Sequence, residues 1–535
     1  MNAGSRAWTH IVIGGGTAGC VVAARLSERP ELQVLLLEAG GWPLDPCLHV
    51  PLGLMGINYR RHSWQYGVAP DESRGGAREV WPAGRALGGT SVINGMLWSR
   101  GARADYDTWA ADGLDGWAYD DVLRSFLRAA GPVRVTTSAC REPLAREFLD
   151  SARAAGHAAN ADYNDGQSLG AAPMQIARGR RFRQSTYSAY LAQARRRPNL
   201  RVERHAQVSR LIVRAGRAVG VEYEHRRRVR RAHCSGEVIL CAGAIGSPVL
   251  LMRSGLGPAD HLAACGIPVV ADIAGVGGNL RNHPLMAMVF EVSRPTLNMQ
   301  ASLPHLLAEA GRYLAGRDCL FTTAPSHVIV YGSADGDRPG CSISYGAYAV
   351  TQPGSGAMRR FARPMPGNAI TLRIQLFGSD SRGTVRLRPA GPQDRPAIHY
   401  TAFGGSRDVA RMTAACRQAR AITQSPPLSR FTVGELTPGP DVRSDDDWDS
   451  ALRRLVSSGR HYGGTCAMGP VVDTALRVRG LQGVRVADAS VMPDLPSGGL
   501  YAPTVMIAER AAEIITSSLE PRLRVFQRTA EEPRH

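Results

Sequence analysis

Residues 11–26 read IVIGGGTAGCVVAARL, and this stretch decides the fold that we predict. Residues 11–13 are a short β-branched run, which favours a buried strand. Gly14, Gly16 and Gly19 follow in a G-x-G-x-x-G pattern, and apolar residues then continue at helical spacing. In such a unit the glycines permit a tight turn and close approach to a pyrophosphate, and the helix N-terminus faces the phosphate charge. The stretch predicts dinucleotide binding without distinguishing NAD from FAD.

A second apolar run supports this interpretation. Residues 34–37 are Val-Leu-Leu-Leu and end in Glu38, 19 residues after Gly19. A carboxylate at this place binds the ribose hydroxyls of an adenosine. The alternative is an ordinary turn between a strand and a helix without a ligand, and the acid at this spacing argues against it.

Length and composition indicate a multidomain protein that does not cross a membrane. A chain of 535 residues exceeds one typical core. No apolar run reaches the roughly 18 to 20 residues of a membrane span, and the N-terminus leads into the first strand without a secretory signal. We therefore predict a cytoplasmic protein. The ten cysteines form no C-x-x-C pair, so neither a metal site nor a disulfide framework is indicated.

The net charge of +18 comes entirely from arginine, because the chain contains no lysine. The densest cluster is Arg226, Arg227, Arg228, Arg230 and Arg231, between two strand-like runs. It is either a patch for nucleic acid or another polyanion, or the solvated tip of a hairpin. No aromatic stacking pattern accompanies it, so we favour the hairpin and expect no nucleic-acid partner.

Residues 84–96, GRALGGTSVINGM, are dominated by small residues that let a backbone lie close against a flat ligand. Thr90, Ser91 and Asn94 can donate hydrogen bonds there. With the continuation at 98–101 and 105–106, this stretch resembles the first signature of the glucose-methanol-choline (GMC) flavoprotein oxidoreductases.

Further stretches resemble the same family in the same order. They are residues 246–257, the second signature; residues 275–284; residues 461–469, the histidine segment; and residues 483–493 with 502–506. The segment 275–284 usually has an acid before its histidine, where this chain has Asn282. We interpret His283 as a packed histidine and leave it out of the predicted site.

The resemblance implies an α/β protein with a Rossmann-like FAD-binding domain and an α+β substrate domain built on an antiparallel sheet. We assign residues 1–284 and 456–520 to the FAD-binding domain, 285–455 to the substrate domain and 521–535 to a polar tail. Alternating runs at 370–374 and 384–388 independently suggest antiparallel strands.

The resemblance also selects FAD as the cofactor. Some members attach FAD covalently through a histidine at the position of Ile93, and isoleucine cannot form that bond, so we predict non-covalent FAD. The residues that we expect to bind it are Gly14, Gly16, Thr17, Ala18, Gly19, Glu38, Gly89, Thr90, Ser91, Asn94, Val208, Asp488 and Thr504.

The implied reaction is oxidation of a primary alcohol to an aldehyde, with hydride passing to flavin N5 and with O2 or another acceptor reoxidising the flavin. His461 matches the family's catalytic histidine, and an imidazole suits a base because its unperturbed pKa lies near neutrality. The alternative is a structural histidine in a tight turn. The second catalytic position, commonly His or Asn, is Tyr501 here; a phenol can donate a hydrogen bond but is a poor base at neutral pH.

For the substrate, the all-arginine composition suits an enzyme of secondary metabolism. Our specific hypothesis is the 6′-hydroxymethyl group of an amino sugar in aminoglycoside antibiotic biosynthesis. The positive net charge opposes a cationic substrate at long range. The alternatives are a choline- or aryl-alcohol-type dehydrogenase, a flavin-containing hydroxynitrile lyase, and a non-enzymatic protein that binds a polyanion.

Overall fold

In the computed structural model, which describes residues 7–138, 142–298, 303–333, 338–350, 365–389, 391 and 394–531, the chain folds around two large sheets. The first sheet has the spatial order Leu200–Arg204, Val34–Glu38, Trp8–Ile13, Arg228–Leu240, Arg217–His225 and Ala206–Arg214, and Val484–Val486 also pairs with Arg228–Leu240. Its central strands pair in parallel. This arrangement confirms the predicted Rossmann-like domain.

Helices cover this parallel sheet, as its apolar strands require. Every residue of Val34–Glu38 is buried. Thr17–Leu26 follows the first strand, Gly243–Arg253 follows Arg228–Leu240, and the long helix Tyr501–Glu531 packs against Thr17–Leu26. The C-terminal part of the chain therefore contributes both a strand and a helix to the N-terminal domain.

The arginine cluster lies at a hairpin tip. Arg217–His225 and Arg228–Leu240 pair in antiparallel register. Arg226 and Arg227 form the turn with φ of 53° and 62°, and the arginines of the cluster are exposed. The hairpin interpretation is confirmed.

The second sheet is antiparallel, as predicted for the substrate domain. Its order is Thr432–Thr437, Pro284–Val292, Ala369–Leu376, Pro339–Gly346, Val328–Ser333 and Gly170–Pro173, with Ser457–Ser458 paired to Pro284–Val292. The run at 384–388 does not join it. Gly383–Arg386 instead forms a separate hairpin with Ala397–Tyr400.

The two halves of the chain interleave more than a boundary at residue 285 suggests. Strand Gly170–Pro173 and helix Pro143–Ala154 precede that boundary, yet the strand pairs in the second sheet and the helix packs on its core. Ser406–Gln424 and Asp445–Leu455 cover the same core. The hydroxyl of Ser444 accepts a hydrogen bond from the amide of Asp447 at 3.1 Å and so caps the start of helix Asp445–Leu455.

Two stretches are more regular than their sequences indicate. The segment 43–83 contains a hairpin of Ser63–Gly67 with Val80–Gly84, although its sequence shows no clear periodicity. Helix Tyr501–Glu531 continues through residues 521–531, where we predicted a polar tail. Three of these eleven residues are arginine, which favours helices. Residues 532–535 lie outside the described part.

The remaining elements are short. The helices are Tyr59–His62, Arg103–Ala111, Tyr119–Ala130, the π-helical turn Tyr187–Leu191 with Ala192–Ala194, Ala259–Ala264 and Leu303–Leu314; the strands are Val135–Thr137 with Gln175–Ala177 and Leu256–Gly257 with Ala271–Asp272. Within the described ranges, no helix combines the length and apolar character needed to cross a bilayer.

Candidate active site

One cavity of about 500 Å³ joins the glycine turn of the first domain to the C-terminal histidine segment. Every site residue predicted from the sequence borders it, except Gly19. The predicted nucleotide-binding residues and the predicted catalytic residues therefore belong to one continuous site.

The glycine turn brings backbone close to the cavity. A Cβ on Gly14 would lie 2.6 Å from the carbonyl oxygen of Cys241, and one on Gly19 would lie 1.8 Å from that of Gly14. Gly19 thus allows the helix to pack on its strand. Helix Thr17–Leu26 begins without a side-chain cap and without an acidic residue in its first turn. Its first N–H groups are available to an anionic ligand, which suits a pyrophosphate.

Glu38 ends its strand at the same edge. Its two carboxylate oxygens accept hydrogen bonds from the backbone N–H groups of Gly15 at 2.8 Å and Gly40 at 2.6 Å. Burial raises the pKa of this carboxyl to about 7, and those two hydrogen bonds oppose the shift. A carboxylate oxygen can accept more than one hydrogen bond, so each retains capacity for a ribose hydroxyl.

The second small-residue segment crosses the glycine turn. A Cβ on Gly89 would lie 2.6 Å from the Cα of Gly16. Thr90 accepts a hydrogen bond from the amide of Gly84 at 3.1 Å, and Ser91 donates to the carbonyl of Gly88 at 2.6 Å. These hydroxyls therefore also hold the segment's own backbone.

Three predicted cofactor residues come from distant parts of the chain. Val208 lies on strand Ala206–Arg214. Asp488 is buried and accepts hydrogen bonds from Gly243 at 2.8 Å and Ser247 at 2.6 Å, which joins the C-terminal segment to the start of helix Gly243–Arg253. Thr504 donates to the carbonyl of Leu500 at 2.6 Å within its own helix.

Together these residues fit FAD. An uncapped helix start and a close glycine turn suit its pyrophosphate, Glu38 suits its adenosine ribose, and the cavity continues beyond them to the histidine segment. Ile93 borders the same cavity and offers no nucleophile for a covalent bond.

Strand pairing brings two histidines together at the other end of the cavity. Ser458 pairs with Pro284, and Gly463 forms an antiparallel bridge with Arg281. His283 and His461 lie between these pairs, and their Nδ1 atoms are 3.0 Å apart. His283 is buried and hydrogen-bonded, as we interpreted it, but its partner is the predicted base, which the sequence did not indicate.

Asn282 is a second residue that the sequence analysis left out. Its Oδ1 accepts a hydrogen bond from the amide of His461 at 3.0 Å, and its Nδ2 donates to Ser458 at 2.7 Å. The segment 275–284 resembled the family and was the available signal for both Asn282 and His283. What the sequence did not contain was the pairing that places this segment beside residues 457–463.

The environment keeps both imidazoles neutral. Burial lowers the pKa of His461 to about 4. Burial, and then the neighbouring His461, Arg281 and Arg338, lower the pKa of His283 well below its ordinary value. Within the described residues the Nε2 of His461 has no hydrogen-bond partner, and His461 borders the cavity. A neutral histidine with one nitrogen held and the other facing a cavity can accept a proton.

Tyr501 also borders the cavity, but its hydroxyl donates to the backbone carbonyl of Gln184 at 2.8 Å. Its ring packs edge-on against Trp98, with centroids 5.4 Å apart. Burial raises the pKa of this phenol, so it remains protonated at neutral pH. Because the phenol proton is donated to Gln184, it is not available to a substrate in this structure.

Known proteins resemble this chain over nearly its whole length. Two family profiles described as GMC oxidoreductase match residues 8–285 and 379–508. An oxygen-dependent choline dehydrogenase of Burkholderia thailandensis is 36% identical over 544 aligned positions, covering 96% of this chain and 94% of the relative. Among solved structures, pyridoxine 4-oxidase from Mesorbium loti is 29% identical with a TM-score of 0.83, covering 95% of this chain and 98% of that one. An FAD-dependent oxidoreductase from Chaetomium thermophilum, 24% identical over 96% of this chain and 100% of its own, shares the fold with a TM-score of 0.87.

Proposed function

This chain belongs to the GMC oxidoreductase family, and from that premise we propose that it oxidises a primary alcohol to an aldehyde with His461 as the base. It is an FAD-dependent enzyme of a family whose members act on alcohols. The observation that carries the proposal is the placement of His461 in the wall of a cavity whose far end suits a dinucleotide. We further propose O2 as the electron acceptor, as the name of the choline dehydrogenase relative suggests.

Different residues of this chain would hold different parts of FAD. Gly14, Gly16 and the start of helix Thr17–Leu26 would hold the pyrophosphate, and Glu38 the adenosine ribose. FAD, when bound, supplies the two-electron acceptor for the alcohol carbon.

His461 removes the hydroxyl proton. In its base-competent form it donates from Nδ1 to Nδ1 of His283, which leaves the lone pair of Nε2 for the alcohol. After proton transfer the same hydrogen bond persists, and His283 then stabilises the positive imidazolium. We propose that Tyr501 shapes the substrate position through its ring, because its hydroxyl is held by Gln184.

For the substrate we propose the 6′-hydroxymethyl group of an amino sugar, as in aminoglycoside antibiotic biosynthesis. One observation favours the alternative of an uncharged alcohol of the aryl type. Among the described residues that border the cavity, the carboxylates are Glu38, Asp394 and Asp488, whereas the charged residue next to His461 is Arg460. A cationic amino sugar or choline gains no carboxylate partner from these neighbours of His461.

The first experiment is anaerobic mixing of the FAD-loaded enzyme with a panel of alcohols, followed by absorbance of the flavin. The panel contains paromamine-like amino sugars, choline, and pyridoxine-like and benzylic alcohols. Bleaching by one class identifies the substrate, and readmitting O2 tests the acceptor by the rate at which the colour returns.

His461→Gln with unchanged FAD content is the control, and its flavin should bleach at least about a hundredfold more slowly. If none of the alcohols bleaches the flavin of a fully loaded wild-type enzyme, and the enzyme cleaves a hydroxynitrile, the proposed oxidation is wrong and the lyase alternative takes its place.

A further inference from the structure

Arg183 is a buried cation beside the cavity. No carboxylate of the described residues pairs with its positive charge. Its side chain is 1% exposed. Its Nη1 donates to both oxygens of Asn94, to the side-chain Oδ1 at 2.7 Å and to the backbone carbonyl. Its Nε and Nη2 are buried and have no hydrogen-bond partner. An unpaired charge and unmet donors in the interior are costly.

Another buried arginine of the chain shows the usual solution. Arg485 is equally buried, at 1% exposure, and donates from Nε at 2.6 Å and from Nη2 at 3.1 Å to the carboxylate of Glu237. Within the described ranges no carboxylate lies within 4 Å of Arg183. The ionisable groups that act on it are Tyr59 and Tyr501. Burial lowers the pKa of Arg183 to about 10, so it stays charged at neutral pH.

Asn94 connects this charge to the cavity. Its Oδ1 accepts from Arg183 and from the amide of Met96 at 3.0 Å, and because both partners are donors, this atom is the amide oxygen. The Nδ2 group therefore has no protein partner among the described residues, and Asn94 borders the cavity. Arg183 thus orients the amide so that its N–H groups are free for a ligand.

We propose that Arg183 is a positioning residue whose uncompensated charge is reserved for the bound flavin: it directs the N–H groups of Asn94 toward the cavity and stabilises the negative charge that the flavin gains on reduction. Tyr59 and Tyr501, its two ionisable neighbours, both border the same cavity. An ion in a protein interior acts through a low local dielectric, so its effect extends beyond direct contact. The inference rests on the proposed FAD site but not on the identity of the alcohol.

The test compares Arg183→Gln, which removes the charge, with Arg183→Lys, which keeps it. The reduction potential of the bound flavin is measured with dithionite, without any alcohol. We expect a more negative potential in Arg183→Gln and a value close to wild type in Arg183→Lys. Sulfite binding to the oxidised flavin also places negative charge there, and it should weaken about tenfold in Arg183→Gln. Arg180→Gln removes an exposed arginine three residues away and should change neither quantity.

Thermal unfolding of the apoprotein separates this role from a structural one. If the charge of Arg183 stabilises bound FAD and not the fold, apo Arg183→Gln unfolds at the same or a higher temperature than the wild-type apoprotein. Added FAD then raises the melting temperature of the variant less than that of the wild type. A destabilised apoprotein with an unchanged potential and unchanged sulfite affinity would overturn the proposal.

If neither variant folds, the wild type still gives a test, because the charge should lower the pKa of the reduced flavin below that of free reduced flavin. An unshifted value refutes the inference. Failure of the wild type to bind FAD would instead refute the cofactor site itself.

Discussion

The two ends of the cavity are built in different ways. At the nucleotide end, the main part of the site is one short part of the chain, residues 14–19 with Glu38, which Gly89, Val208 and Asp488 join from elsewhere. At the histidine end, His283 and His461 meet although they are 178 residues apart in sequence. One end depends on the space around glycine backbone, and the other on hydrogen bonds between side chains. Substitutions at the first end should therefore change FAD binding and folding, and those at the second should change turnover.

The largest effect is expected for His461→Gln. Loss of the base should lower kcat by about 10²- to 10⁴-fold, because general base catalysis typically contributes that much. The flavin spectrum and FAD content should remain those of the wild type. Steady-state kinetics with an identified alcohol measure the loss, and an intact kcat would show that another group removes the proton.

At the nucleotide end, Gly19→Ala should abolish tight FAD binding. Its Cβ would lie 1.8 Å from the carbonyl of Gly14, so the helix must move away from the strand. We expect a loss of roughly 1–3 kcal/mol or more in the free energy of unfolding, as for other overpacked sites. Gly311→Ala is the matched control, since it also lies in a helix and its Cβ would meet nothing within 4 Å. Denaturant unfolding and FAD content distinguish the two, and equal behaviour would contradict the packing argument.

A smaller effect is expected for His283→Ala. The variant loses the hydrogen bond that stabilises the imidazolium of His461, and a bond to a charged group is worth about tenfold to a hundredfold. The decrease should appear in kcat with little change in KM, because His283 does not border the cavity. A pure KM effect would assign it to substrate binding instead.

The pH dependence provides the most subtle comparison. His461 must be neutral to act as a base, so activity is present above its pKa and is lost as pH falls through it. Because burial lowers that pKa to about 4, kcat/KM of the free enzyme should stay high well below pH 6.5, the ordinary value for histidine. The profile must be corrected for FAD loss at each pH. An acidic limb centred near 6.5 or above would show that His461 is more solvated than the structure indicates.

The nucleotide end of the cavity could largely be predicted from the sequence, whereas the surroundings of the histidine end could not. The strand–glycine–helix unit, Glu38 and the small-residue segment are recognisable because their function depends on local backbone geometry, and they occupy the predicted places in one cavity. Tyr501 borders the cavity, but its hydroxyl donates to the carbonyl of Gln184, and no local sequence pattern reveals that partner. His283 was set aside because a histidine alone in a motif carries no sign of its partner.

By itself the sequence determined the Rossmann-like unit, because glycine spacing and apolar periodicity act over neighbouring residues. The family and the position of the candidate base followed from the resemblance of its motifs to the GMC family. Only the tertiary structure decided which groups surround that base. The pairing of residues 457–458 with 284–285 places His283 against His461, and the chain path places Arg183 behind Asn94 without a carboxylate among the described residues. The physical reason is that burial and hydrogen-bond partners, which set the charge and basicity of these groups, arise from contacts between distant segments.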